Sequence, residues 1–94
     1  MKSIINNEKR CYVCGCYGSI EEHNIFFGRA NRKKSEQYGL KVYLCVEHHR
    51  ASPGGVHGGN KELNYALKRI GQQHFEKTHT REEFMQEFGK NYLD

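Results

Sequence analysis

The sequence predicts a small α+β domain, and three observations lead there. The chain has 94 residues and a mean hydropathy of −0.90, and a domain this short buries only about 60–65% of the surface its unfolded chain exposes, so its core needs a staple. Two short-spaced pairs, Cys11-x2-Cys14 and Cys45-x2-His48, share one spacing. The apolar pattern alternates over part of residues 20–45 and turns helical after residue 60, as strands followed by helices require. All of it fits one domain, residues 1–94.

Taken in order, residues 1–10 are polar and expected to fray. Cys11-Tyr-Val-Cys14-Gly15 follows, a turn in which the glycine lets two thiolates face one point. The run Ile20–Phe27 is bounded by Gly18 and Gly28 and reads as a strand. Leu40–Cys45 alternates Leu40, Val42 and Leu44 with Lys41 and Tyr43, as a half-buried strand paired with the first. Between them the spacing allows a short helix over 31–38 ending at Gly39. Residues 51–60, with four glycines and the only proline, exclude a helix or strand. From Lys61 to about Lys77, Leu63, Ala66, Leu67, Ile70 and His74/Phe75 keep helical spacing behind Asn60 as N-cap. Thr80-x-x-Glu83 is a capping box opening a last helix, with Phe84, Met85 and Phe88 expected inward and Gly89 as its stop.

Cys11, Cys14, Cys45 and His48 make a Cys3His set, for which Zn2+ is the fitting tetrahedral ion. Disulfide pairing is the alternative, and a reducing compartment disfavours it. Cys16 is left over as a small, partly buried residue. His23 on the first strand, His49 after the second pair and His57 in the glycine loop suggest a second cation site, if strand and loops converge. His74 and His79 read as packing or surface residues.

Cys11-x2-Cys14, EEHNIFFG, LCVEHHR and GVHG together resemble the HNH endonuclease family, in the zinc-knuckle branch often encoded by phages and prophages. Residues 11–60 carry the resemblance, and GQQHFEKTHTREEFMQEFGKNYL extends it into the C-terminal helices of residues 61–94. The resemblance implies a ββα-metal core in which a hairpin and a helix grip one divalent ion, Mg2+ or a similar cation, and a strand histidine activates water. It also implies a DNA substrate, a bacterial cytoplasm hosting a phage or prophage, and other phage proteins as partners. Such chemistry suits the residue types: a divalent ion neutralises the phosphate and stabilises the leaving oxygen, and an imidazole takes the proton.

Carried over by position, His49 matches the family's Asn or His, and His57 its final metal ligand. With Ile25 as the aliphatic anchor, His23 falls on the metal-ligand position and Asn24 on the catalytic base position, although an amide accepts no proton. In the other register Glu22 is the ligand and His23 the base, with one extra residue before Ile25. Arg29, Arg32, Lys33 and Lys34 are the candidate phosphate contacts. Residues 1–50 carry nine Lys and Arg against five Glu, and residues 51–94 six against six acids, so the cationic surface belongs to the first half. No apolar run approaches the roughly 18 residues of a membrane span. The rival reading is a non-catalytic zinc-knuckle DNA-binding or adaptor module, with Asn24 as its best support.

Overall fold

A computed structural model describes residues 1–93. The order is β1 (Ile20–Asn24), α1 (Asn31–Gln37), β2 (Lys41–Cys45), α2 (Val46–His49), a 3-10 turn (Val56–Gly58), α3 (Lys61–Phe75) and α4 (Arg81–Phe88). The strands form one antiparallel pair, with Ile20 opposite Cys45, His23 opposite Val42 and Asn24 opposite Lys41. It is an α+β arrangement in which α1 and α2 pack against the strand pair, α4 packs on α1 and α3 on the 3-10 turn.

The first strand stops three residues earlier than its apolar run suggests. Ile25 still donates to the Leu40 carbonyl, at 3.0 Å, but the Phe26 N–H goes to Ser35 Oγ instead, at 3.2 Å. Ser35 also donates to the Leu40 carbonyl, so one hydroxyl ties α1 to the chain on both sides. Released from the ladder, Phe26 packs among Phe84, Phe88 and Tyr92, with ring centroids 5.4, 4.5 and 5.7 Å away. Helix α3 passes so close that a Cβ at Gly71 would lie 2.9 Å from the Phe26 ring.

Both C-terminal helices begin where capping chemistry places them. Asn60 accepts from the Leu63 N–H, and Thr80 and Glu83 close a reciprocal capping box. The buried face of α3 is Leu67, Gly71, Gln72 and Phe75, and Ala66 is exposed. On α4, Phe84 and Phe88 are buried while Met85 points outward, because its position lies off the two-residue seam facing Phe26 and Phe75. Gln72 is fully buried and satisfied, donating to Glu76 and Asn91 and accepting from the Tyr92 N–H, which fastens the C-terminal segment to α3.

The polar N-terminus is docked rather than frayed. Ser3 is buried and donates to the Lys41 carbonyl, Ile4 donates to the Gly39 carbonyl, and Asn6 Oδ1 accepts from the Tyr43 N–H. These bonds occupy the outer edge of β2, which would otherwise present unpaired backbone groups. Consequently β2 is buried on both faces. Its Lys41 has a side chain only 7% exposed, held between Glu36 at 2.6 Å and Glu22 at 3.1 Å. Lys41→Met should lower stability by about 1–2 kcal/mol, because charge-assisted bonds are lost while both carboxylates remain free to rehydrate. Hydrogen bonding to Lys41 holds the Glu36 carboxyl below its usual range. Its contribution is therefore present above pH 4.5, the unperturbed value, and fades as pH falls through the lower folded value. Urea titrations of parent and variant should differ near neutrality and converge in acid.

The loop over residues 51–60 is not wholly irregular, since its tip makes the 3-10 turn. It folds back onto α2 too tightly for side chains: a Cβ at Gly58 would lie 2.0 Å from the Ala51 carbonyl oxygen, and one at Gly55 2.7 Å from the His49 carbonyl carbon. These glycines are what carry His57 to the end of α2. Among the described residues no helix is long and apolar enough to cross a membrane.

Candidate functional site

Cys11, Cys14, Cys45 and His48 converge, each offering one donor atom. Cys14 Sγ lies 3.8 Å from Cys45 Sγ, and His48 Nδ1 lies 3.7 and 3.3 Å from Cys11 and Cys45 Sγ. Sulfurs bound tetrahedrally at about 2.3 Å from one ion stand about 3.8 Å apart, so the set fits an ion such as zinc. The thiols divide electrostatically. Burial raises the Cys11 pKa, but backbone N–H groups of Cys14, Cys45 and Val13 outweigh it and bring the thiol down to about 6. Burial pushes Cys45 up to about 12. A divalent ion held there would resolve this mismatch by keeping the three sulfurs as thiolates. Cys16, exposed, stays outside the four donors, and its carbonyl accepts from the Cys11 N–H.

Alternation along β1 puts Glu21 and His23 on one face, and Glu22 and Asn24 on the other. Against the first face stand His49, from the end of α2, and His57, from the 3-10 turn. The three imidazole centroids are 5.0 to 5.2 Å apart, and one donor atom from each lies within 4.8 Å of the others. His23 is 2% exposed, and its Nε2 is buried without a hydrogen-bond partner. Desolvation, reinforced by His49, His57 and Lys68, brings its pKa down to about 3, and burial also lowers that of His57. Both are neutral near pH 7, as ligands must be. A buried imidazole nitrogen without a partner, on a residue of a three-histidine cluster, fits a cation.

Glu21 is a member that sequence reasoning missed. Its Oε1 lies 2.8 Å from His49 Nδ1, and its Oε2 lies 2.9 Å from Arg50 Nη2. The hydrogen bond from His49, supported by Arg50, holds the Glu21 carboxyl below its usual range. A carboxylate on Nδ1 leaves Nε2 free toward the other imidazoles and fixes the ring, as carboxylates behind metal-bound histidines do. The available signal was its position two residues before His23, on the same strand face.

The candidate cations are not equivalent. Arg29 and Arg32 line the same cleft as His23, His49 and His57. Lys33 borders an adjoining depression shared with Asn24, Arg32 and Glu36. Lys34 is drawn away to α4, where it donates to the Glu87 carbonyl at 2.7 Å and stands 3.6 Å from the Glu87 carboxylate. Asn24 reaches both the cleft and the depression, and its Oδ1 is buried without a partner. Glu22 is paired with Lys41. His79 stacks on Phe75 with centroids 4.3 Å apart, a packing role, and His74 is half-buried beside it. No family model, curated protein or solved structure matches the chain.

Proposed function

We propose that the chain is a metal-dependent DNA endonuclease of the HNH type, its Cys3His knuckle holding a structural zinc and its second cluster a catalytic divalent cation. The observation that carries this reading is the triad of His23, His49 and His57 opening into a cleft lined by Arg29 and Arg32. On this reading the hairpin, the knuckle helix α2 and the two metal clusters form a ββα-metal core, with α3 and α4 packed behind it. A divalent ion at the triad supplies charge neutralisation of the phosphate and stabilises the departing oxygen.

The residues supply the rest. Arg29 and Arg32 grip the phosphates flanking the scissile bond, using guanidinium forks suited to bidentate contact. Glu21 and Arg50 keep His49 aimed. Asn24 Oδ1 can accept a hydrogen bond from a water and so orient it, but an amide cannot take its proton. The reading is therefore of a slow nuclease. A second reading, a non-catalytic zinc-knuckle module that binds DNA or joins partners, is favoured by the same Asn24.

Supercoiled plasmid separates the two. With zinc-loaded protein, nicking should appear only on adding Mg2+, Mn2+ or Ni2+. Arg32→Ala and Lys33→Ala should weaken DNA binding and flatten its salt dependence, by up to about 0.9 log unit of slope for each phosphate no longer neutralised. Lys34→Ala should leave that slope unchanged, because its ammonium is spent on Glu87. Absence of nicking with every ion, in the parent and in Asn24→His, would leave the binding module as the function.

A further inference from the structure

A second basic and aromatic strip, sharing no cation with the arginine-lined cleft, leads off from the histidine triad. It begins at Phe27, whose ring lies 4.8 Å from that of His57 and 5.8 Å from that of His23. Lys68 Nζ sits 4.8 Å above the Phe27 ring and 5.7 Å from the ring of Tyr92. Lys90 Nζ lies 5.2 Å from Tyr92 as well, and Tyr65, 41% exposed, meets Tyr92 edge-on at 5.8 Å.

This strip is built rather than incidental. The Tyr65 hydroxyl and Arg69 both donate to the Tyr92 carbonyl, at 3.2 and 3.0 Å, and Gln72 holds the Tyr92 N–H. The rings are thereby fixed before any ligand arrives, which reduces the entropy lost on binding. Among the described residues, no carboxylate lies within ion-pair distance of Lys68 or Lys90. Burial, and then Lys90, depress the pKa of Lys68, and two ammonium groups face one tyrosine without a carboxylate partner among the described residues. An anion placed there would supply that partner.

We infer that this strip, Phe27–Lys68–Tyr92–Lys90 with Tyr65 beside it, binds unpaired single-stranded DNA that runs into the histidine triad. The step rests on the proposed nuclease reading for its direction toward the triad, though the binding itself does not require cleavage. Phosphates alone would fit a duplex equally well. The exposed Tyr65 ring favours a strand whose bases are unstacked, because duplex bases already have both faces covered. Lys68 and Lys90 take successive phosphates, and Tyr65 takes a base.

The test is fluorescence anisotropy with labelled oligo(dT) and a duplex of equal length, on zinc-loaded full chain with no other divalent ion present. Tyr65→Ala should weaken oligo(dT) binding at least about fivefold, the low end for removing one stacked base, and leave duplex binding unchanged. Tyr65→Phe keeps the ring while Arg69 still holds the Tyr92 carbonyl, and should lose far less oligo(dT) affinity than Tyr65→Ala. Lys90→Gln, at an exposed site, should reduce the oligo(dT) salt slope by about 0.7 for its phosphate. Thermal unfolding of each variant confirms the fold. Equal losses on both DNAs, or no loss on oligo(dT), would overturn the strip. Plasmid nicking is scored separately: selective oligo(dT) binding without nicking keeps the strip and removes the nuclease, and nicking with no Tyr65 effect does the reverse.

Discussion

Stripping metal from the folded protein should unfold most of the domain. The knuckle is the main link that fixes residues 11–16 to the far end of the hairpin, assisted by the backbone bond from the Tyr12 N–H to the Tyr43 carbonyl. Helix α2 is four residues long with none of them fully buried, so it has neither the length nor the apolar face to persist alone. Yet α2 carries His48 and His49, and the glycine loop packs on it. Structural zinc sites contribute roughly 10–16 kcal/mol of apparent binding free energy, more than the whole stability of many small domains. Cys45→Ser should behave like metal removal, since Cys45 ends β2, caps α2 and donates a sulfur. Circular dichroism before and after chelation, beside elemental analysis, reads both. Cys16→Ser, outside the cluster, should keep full zinc and full structure. Folded protein with less than about half a zinc per chain would remove the site.

How much the sequence reveals follows from which interactions are local. Helix caps are set within four residues, so Asn60 and Thr80 can be read directly, as can the paired spacing of Cys11-Cys14 and Cys45-His48. The histidine triad is legible by residue type, but its closure depends on Gly55 and Gly58 letting the loop lie against α2, a packing that no periodicity encodes. The end of β1 is hidden for a different reason. Ile25 and Phe26 continue the apolar run, and only Ser35, ten residues on from Ile25, decides that Phe26 leaves the ladder. Long-range polar partners are invisible in the same way: Ser3 with Lys41, Lys41 with Glu22 and Glu36, and Lys34 with Glu87. Each turns a residue that looks like solvent-facing charge, or a frayed end, into part of the packing. The strip around Lys68 escapes because its organisation is cation on ring, and Phe27, Lys68 and Tyr92 are far apart in sequence.

On the proposed nuclease reading, Asn24→His should raise Mg2+- or Mn2+-dependent nicking by at least about tenfold, because a positioned general base contributes about 10²–10⁴-fold and that reading puts the Asn24 amide in its place. The geometry favours this register over its rival. His23 belongs to the cluster with His49 and His57 and has a buried Nε2 without a partner, as a ligand would, whereas Glu22, which also lines the cleft, is engaged by Lys41. His23→Ala should accordingly abolish nicking and remove Mn2+ binding at the triad in a calorimetric titration, with zinc content unchanged because the knuckle shares no residue with it. The alternative register demands the reverse pattern: an active parent, Mn2+ binding that survives His23→Ala, and little effect of Asn24→His. The two variants therefore assign His23 by metal affinity and Asn24 by rate, two readouts that a general loss of folding would not move in opposite directions. If Asn24→His binds Mn2+ and oligo(dT) like the parent and still fails to nick, the missing imidazole is not what holds the chain back, and its role is to bind DNA rather than to cut it.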